Sequence, residues 1–294
     1  MTEEATGSTV PRRQLGRYLR ELRSGQRMTV KTAADLLEWS ETKVWRIETG
    51  QTSLRSHDAE LMCRIYAAPQ DLTEALMGLA KETKARGWWH AYGDVIPEGF
   101  DVYIGLEEAA AQLVSYQADL VPGLLQTEAY ARTVIRADNP DVDGDEIDRR
   151  VHVRVERQAL VRRQAAPLRL KVILNESILR RPVGGPVVMA AQLDSLGQAA
   201  GLPNVTLRVV PFSAGLHKGL MAGPFVILQF PVNGDGRDSE PTTVYVDGFT
   251  GALYLDKQRE VERYANAFEN IWNVALDEPA SGELIKRAAE ELRQ

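Results

Sequence analysis

Two groups of residues have the types and spacing to do chemistry. The first is the run Ser40-Glu41-Thr42-Lys43-Val44-Trp45-Arg46-Ile47-Glu48-Thr49-Gly50. At helical spacing Val44 and Ile47 form one inward pair, which leaves Lys43 and Arg46 on the outer side. A guanidinium such as that of Arg46 can pair bidentately with guanine O6 and N7, and Glu41 could accept from cytosine N4. The second group is Glu176, His217, Tyr245 and Asp247, placed at strand ends or in loops, where functional side chains tend to sit, together with Arg180, four residues after Glu176. Glu176, His217 and Asp247 have the chemistry of an acid/base set. Nothing in the sequence brings them together, and no nucleophile motif, phosphate loop or metal spacing accompanies them. The four histidines, at 57, 90, 152 and 217, show no paired ligand spacing. The reading is therefore of a protein that is not an enzyme and needs no metal or cofactor. Glu176, Arg180, His217 and Tyr245 stand as candidate contacts for a ligand or a partner.

The chain has 294 residues, enough for two domains, with 44% hydrophobic and 26% charged residues, as in an ordinary globular protein. No run of about 18 apolar residues exists, so no membrane span is expected. The opening MTEEATGSTV is acidic and polar where a signal peptide is basic and then apolar, so the protein is expected in the cytoplasm, on the nucleoid. A single cysteine, Cys63, excludes an internal disulfide and reads as a small core residue. The net charge of −6 argues against a nucleic-acid partner only if charge is spread evenly, and it is not. Residues 11–27, PRRQLGRYLRELRSGQR, hold six arginines against one glutamate. Charge acts over about 8–10 Å at physiological salt, so this local excess outweighs the total.

Four helices must position the first group. Leu15, Leu19 and Leu22 form the stripe of helix one, ended by Ser24-Gly25. Thr29 caps helix two, with Ala33, Ala34, Leu36 and Leu37 inward. Ser40 caps helix three, Glu41 suits its first turn, and Gly50 supplies a left-handed exit. Helix four turns Ala59, Met62, Ile65 and Tyr66 inward and stops near Pro69, with His57 exposed at its start. Two short helices joined by a three- or four-residue turn, behind an arginine-rich helix, make a helix-turn-helix, whose second helix enters the major groove of double-stranded DNA.

The stretch LGRYLRELRSGQRMTVKTAADLLEWSETKVWRIETG resembles the phage-repressor (XRE, Cro/C1-like) class of helix-turn-helix domain. The resemblance implies that Glu41, Thr42 and Arg46 reach base edges while Ser40, Lys43 and Thr49 lie against phosphates or groove walls. It also implies a structural ion pair between Arg23 and Glu48. Where the class often has glutamine at the start of helix two, this chain has Val30, which leaves a phosphate contact there in doubt. Trp45 is large for its position; it could touch sugar edges, touch a thymine methyl, or pack on Trp39. The helix-one arginines would set affinity and its salt dependence.

The rest of the chain reads as α+β. A helix over 70–86 and an aromatic connector, WWHAYGDVIPEGFDVYIG, lead away from the first domain, with Trp88 and Trp89 read as docking the two domains. Helices follow at about 106–120, stopped by Pro122-Gly123, from Thr127, and over 145–164. In the last, Ile147, Val151, Val155 and Ala159 share a face, and Arg149, Arg150, Arg154, Arg157, Arg162 and Arg163 make a solvated or salt-bridged one. Short β-branched runs at 168–174, 205–210, 225–230, 242–247 and 252–255 read as strands, the last two as a hairpin. A helix over 186–200 lies among them, and helices over 256–275 and 281–292, the latter capped by Ser281, close the chain. The fold class is multi-domain: an all-α helix-turn-helix domain (11–68), a helix and aromatic connector (69–105), and an α+β domain (106–294) with a small mixed or antiparallel sheet flanked by helices.

The segments IGLEEAAAQLVSYQADLVPGLLQTEAYARTVI, LNESILRRPVGGPVVMAAQLDSL, VVPFSAGLHKGLMAGPFVILQFP and VERYANAFENIW resemble the large C-terminal domain of actinobacterial, WhiJ-like helix-turn-helix regulators. That resemblance implies a transcriptional regulator, often encoded beside a small partner protein; a homodimer is expected from how helix-turn-helix domains usually bind. The C-terminal domain would gate DNA binding through that small protein; the alternative is a repressor with a small-molecule pocket in the same domain.

Overall fold

The structure is a computed structural model and describes residues 9–83, 88–97, 100–232, 238–249 and 251–294. The chain divides into two compact units, residues 1–106 and 107–294. No helix among the described residues is long and apolar enough to cross a membrane.

The first unit is helical: α1 (Thr9–Gly25), α2 (Val30–Leu37), α3 (Glu41–Glu48), α4 (Ser56–Ile65) and α5 (Gln70–Glu82). Leu15 and Leu19 of α1 pack with Ala33, Ala34 and Leu37 of α2, Val44 and Ile47 of α3, and Met62 and Tyr66 of α4. Leu76 and Ala80 of α5 belong to the same core, so the helix assigned to a connector is part of the first domain's packing. Its expected last turn falls on 84–87, outside the described residues. Trp88 and Trp89 open a short 3-10 turn, Trp88–Tyr92, with Trp89 buried. The side chain of His90 is outside the described residues. Cys63 is buried in the helical core, which pushes its thiol pKa up.

A helix, α6 (Phe100–Ala109), leads into the second unit, which continues with β1 (Gln112–Gln117), α7 (Glu128–Asp138), α8 (Gly144–Arg157), α9 (Ala159–Arg162), β2 (Arg169–Asn175), α10 (Glu176–Arg180), α11 (Pro186–Ala200) and β3 (Val205–Val210). Then come α12 (Lys218–Ala222), β4 (Phe225–Gln229), β5 (Thr243–Gly248), β6 (Gly251–Leu255), α13 (Gln258–Val274) and α14 (Glu278–Glu291). The six strands form one mixed sheet in the order β3-β2-β1-β4-β5-β6. β1, β2 and β3 run parallel, while β4, β5 and β6 add antiparallel on the other side of β1. One sheet face, with Val114, Tyr116, Ile173, Phe225, Ile227 and Val244, packs on Phe268 and Ile271 of α13. At the outer edge of β3, Leu276 N–H donates to Val209 O and Val209 N–H donates to Ser281 Oγ.

Four expectations are corrected. Leu36, expected inward on α2, is 55% exposed. The helix over 106–120 does not exist: α6 ends at Ala109, and Gln112–Gln117 is the strand between β2 and β4. Leu113, Val114, Ser115 and Tyr116 are all buried, so both faces of the strand are covered and its sequence lacks the apolar-polar alternation that would separate it from a helix. The helix over 145–164 breaks at Gln158, and Ala159 is exposed while Val153 and Arg157 are buried. The last helix is capped by Asp277, whose side chain accepts from Ala280 N–H; Ser281 lies inside it and binds β3 instead.

Candidate nucleic-acid interface

The geometry of α2, its turn and α3 follows from local chemistry. Thr29 Oγ1 accepts from Thr32 N–H at 3.1 Å and starts α2. Glu38 ends it in the left-handed region, φ 57°, and Trp39 N–H returns to Ala34 O at 2.9 Å. Ser40 then caps α3, its Oγ accepting from Lys43 N–H at 3.2 Å. At the far end Gly50, φ 73°, donates to Ile47 O at 3.0 Å, and Gln51 N–H donates to Arg46 O at 2.8 Å, which closes the helix as a left-handed C-terminal cap does.

On α3 the inner side is Val44, Ile47 and Glu48, all buried. Ser40, Glu41, Thr42, Lys43, Trp45 and Arg46 are exposed. Trp45 is 49% exposed, and Trp39 sits under a cation instead, with Lys43 Nζ 3.5 Å from its ring centroid. Thr49 is half-buried, and its hydroxyl donates back to Trp45 O at 2.8 Å, so as a phosphate donor it is already engaged. Val30 is half-buried against the helical core and carries no donor.

Behind α3 the structure brings Arg23 and Glu48 together. Arg23 donates through Nε and NH2 to the two Glu48 carboxylate oxygens, both at 2.7 Å, and through NH1 to Met28 O at 2.7 Å. Tyr66 Oη stands 3.4 Å from Glu48 Oε1. The hydrogen bonds to Glu48 raise the Arg23 pKa; burial, then the nearby carboxylate, raise that of Tyr66. One carboxylate thus ties α1, the α1–α2 link, α3 and α4.

The basic face of α1 is smaller than its composition implies. Arg12 is fully buried, with NH2 3.7 Å from Asp101 Oδ2, and Arg13 is buried against Gly50. Arg23 is spent on Glu48. Arg20 and Arg27 are exposed and Arg17 is half-buried.

In the second unit the remaining candidates are separated. Buried Glu176 accepts from Arg180 at 3.2 and 3.1 Å and from Phe212 N–H at 2.8 Å; Arg180 also reaches Glu291. His217 caps α12, its Nδ1 accepting from Gly219 N–H at 3.1 Å, and its ring meets Tyr116 edge-on at 5.9 Å. Burial lowers its pKa. Buried Tyr245 faces Tyr254 at 5.2 Å and shares a hydrogen bond with Asp247; burial, then that carboxylate, raise its pKa. Among the described residues no hydrogen bond links any two of Glu176, His217 and Asp247, and no group of three or more His, Cys, Asp or Glu is placed to hold a metal.

Sequence reasoning missed a polar cluster on α8. Arg157, buried, pairs bidentately with fully buried Glu107 at 2.7 and 2.8 Å. Arg154, half-buried, donates to Gln126 Oε1 at 3.0 Å, and burial, with Arg157 adding to it, pushes its pKa down to about 10. The one signal available was that Arg157 follows buried Val153 by one helical turn.

The comparisons agree with this division. A helix-turn-helix domain matches residues 14–76, which makes the chain a DNA-binding regulator in outline, and a domain of unknown function, DUF5753, matches residues 100–287, well over half of the chain. No curated protein and no solved structure matches it significantly. The chain belongs to the DUF5753 family, with a helix-turn-helix domain preceding the part that defines it.

Proposed function

We propose that the protein is a sequence-specific transcriptional regulator of the phage-repressor class, acting in the cytoplasm on nucleoid DNA. The observation that carries this reading is the outer side of α3: Glu41, Thr42, Lys43, Trp45 and Arg46 are exposed on a helix held from behind by the Arg23–Glu48 pair. Arg46 and Glu41 read base edges, with Thr42 beside them, while Ser40 and Lys43 approach phosphates. Thr49 serves chiefly to close the helix. Two copies of the chain place their α3 helices in successive major grooves, about 34–36 Å apart, on a roughly palindromic site.

The second unit gates this binding by docking a small protein encoded beside the regulator. Four apolar side chains within ten residues, Phe212, Leu216, Leu220 and Met221, are 60%, 76%, 57% and 71% exposed, and clustered apolar exposure is the usual mark of an interaction surface. The test is a salt-titrated binding assay on the DNA upstream of the protein's own gene against a scrambled control, with and without the product of the neighbouring small gene. Specific binding that this product alters supports the whole reading. Specific binding that ignores it removes the partner, and no preference over scrambled DNA removes α3 as a reader of that site.

A further inference from the structure

We propose that the guanidinium of Arg154 anchors a binding site for a small oxyanion, a carboxylate or a phosphate, in the second unit. The proposal rests on how charge is distributed around α8. Two guanidiniums, Arg154 and Arg157, share a region with one buried carboxylate, and Glu107 gives both of its oxygens to Arg157. Arg154 receives only the neutral amide oxygen of Gln126. Among the described residues no carboxylate forms an ion pair with it. Taking a cation partly out of water without a counter-charge is costly, and structures normally pair such a group.

The surroundings hold Arg154 in place without neutralising it. Gln126, buried, is fixed by its own Nε2, which donates to Val121 O at 2.7 Å. Gln158 Nε2 donates to Gly123 O at 3.2 Å and to Gln126 O at 2.7 Å, pinning the turn that carries Gln126. The Gln126 oxygen therefore occupies one donor of the Arg154 fork and orients the others. A guanidinium held this way is suited to bidentate recognition of a planar or tetrahedral oxyanion. Glu107, Asp138 and Asp247, in that order, act on Arg154 from within electrostatic reach and weaken the site's positive field, but none of them forms an ion pair with it.

The site does not depend on the DNA-binding reading, and it is tested on the full chain without DNA. Thermal melts are recorded with sodium phosphate or sodium succinate against sodium chloride at equal ionic strength. A saturable rise of about 3–6 °C at ten times Kd is expected with at least one of the two anions. Which anion acts identifies the ligand class. Arg154→Gln abolishes the rise, Arg154→Lys keeps a weaker one, and Asp247→Asn tightens binding. No saturable rise above chloride with either anion, or an undiminished rise in Arg154→Gln, overturns the proposal. Should Arg154→Gln fail to fold, Asp247→Asn decides: a lower Kd supports the site and an unchanged one overturns it.

Discussion

Gly16 of α1 packs so tightly on the end of α3 that a Cβ built on it would stand 2.5 Å from the carbonyl oxygen of Ile47. The Glu48 oxygen would be 2.8 Å away, and neither backbone atom can swing aside as a side-chain tip can. The position of α3 is thus set by a backbone-to-backbone approach that only glycine permits. Gly16→Ala should cost about 1–3 kcal/mol in urea unfolding, the scale of core overpacking, despite alanine's better helix propensity. Gly25→Ala is the control, because its Cβ meets nothing within 4 Å, and it should be neutral or stabilising by up to about 1 kcal/mol.

The Arg23–Glu48 pair makes a second, separable prediction. Glu48 is 3% exposed, so removing its partner leaves a buried carboxylate without its counter-charge. Arg23→Ala should lower unfolding free energy by about 3–5 kcal/mol, and the additional Glu48→Gln change should recover part of that loss. A double-mutant cycle by chemical denaturation measures the coupling. Additive losses would mean that the two side chains act independently.

Much of the first unit was legible because several local signals agree there. Apolar period, the Thr29 and Ser40 caps and the Gly50 exit all point to the same three helices. The glutamate in the left-handed position at 38 departs from the usual glycine, yet the turn forms because Trp39 N–H reaches Ala34 O. The charge of α1 was misjudged for a physical reason. Arg12 sits in phase with Leu15 and Leu19 on the buried stripe, and its counter-charge, Asp101, lies on another helix far along the chain. The same limit hid β1, whose two buried faces erase the alternation that marks a strand. Glu107 and Arg157 were both visible as charges, but only the fold reveals that one neutralises the other.

Base readout and phosphate contact should separate in binding data. Arg46 is exposed on α3 and Arg20 is exposed on α1. Arg46→Ala is expected to cost about 1–3 kcal/mol at the preferred site and to relax base preference at one position. Arg20→Ala should weaken all sequences alike and flatten the slope of log K against log salt by about one unit. Competition binding against single-base variants, repeated over a salt series, distinguishes the two. An equal loss by Arg46→Ala on every sequence would remove it from base readout.

Buried His217 links stability to pH. Its pKa lies below the ordinary imidazole value because burial disfavours the cation, and its Nδ1 is occupied by the Gly219 N–H. In the unfolded chain the ring protonates near the usual 6.5, so between the folded and unfolded values the unfolded state binds the extra proton. The contribution of His217 is therefore complete above the unfolded value and shrinks as pH falls below it, by at most about 1.4 kcal/mol per pH unit. Unfolding free energies at pH 7.5, 6.5 and 5.5 should fall more steeply for the native chain than for His217→Asn, which keeps an acceptor for the Gly219 N–H but cannot titrate. Equal slopes would mean that His217 protonates as readily folded as unfolded, and that its cap on α12 survives the added charge.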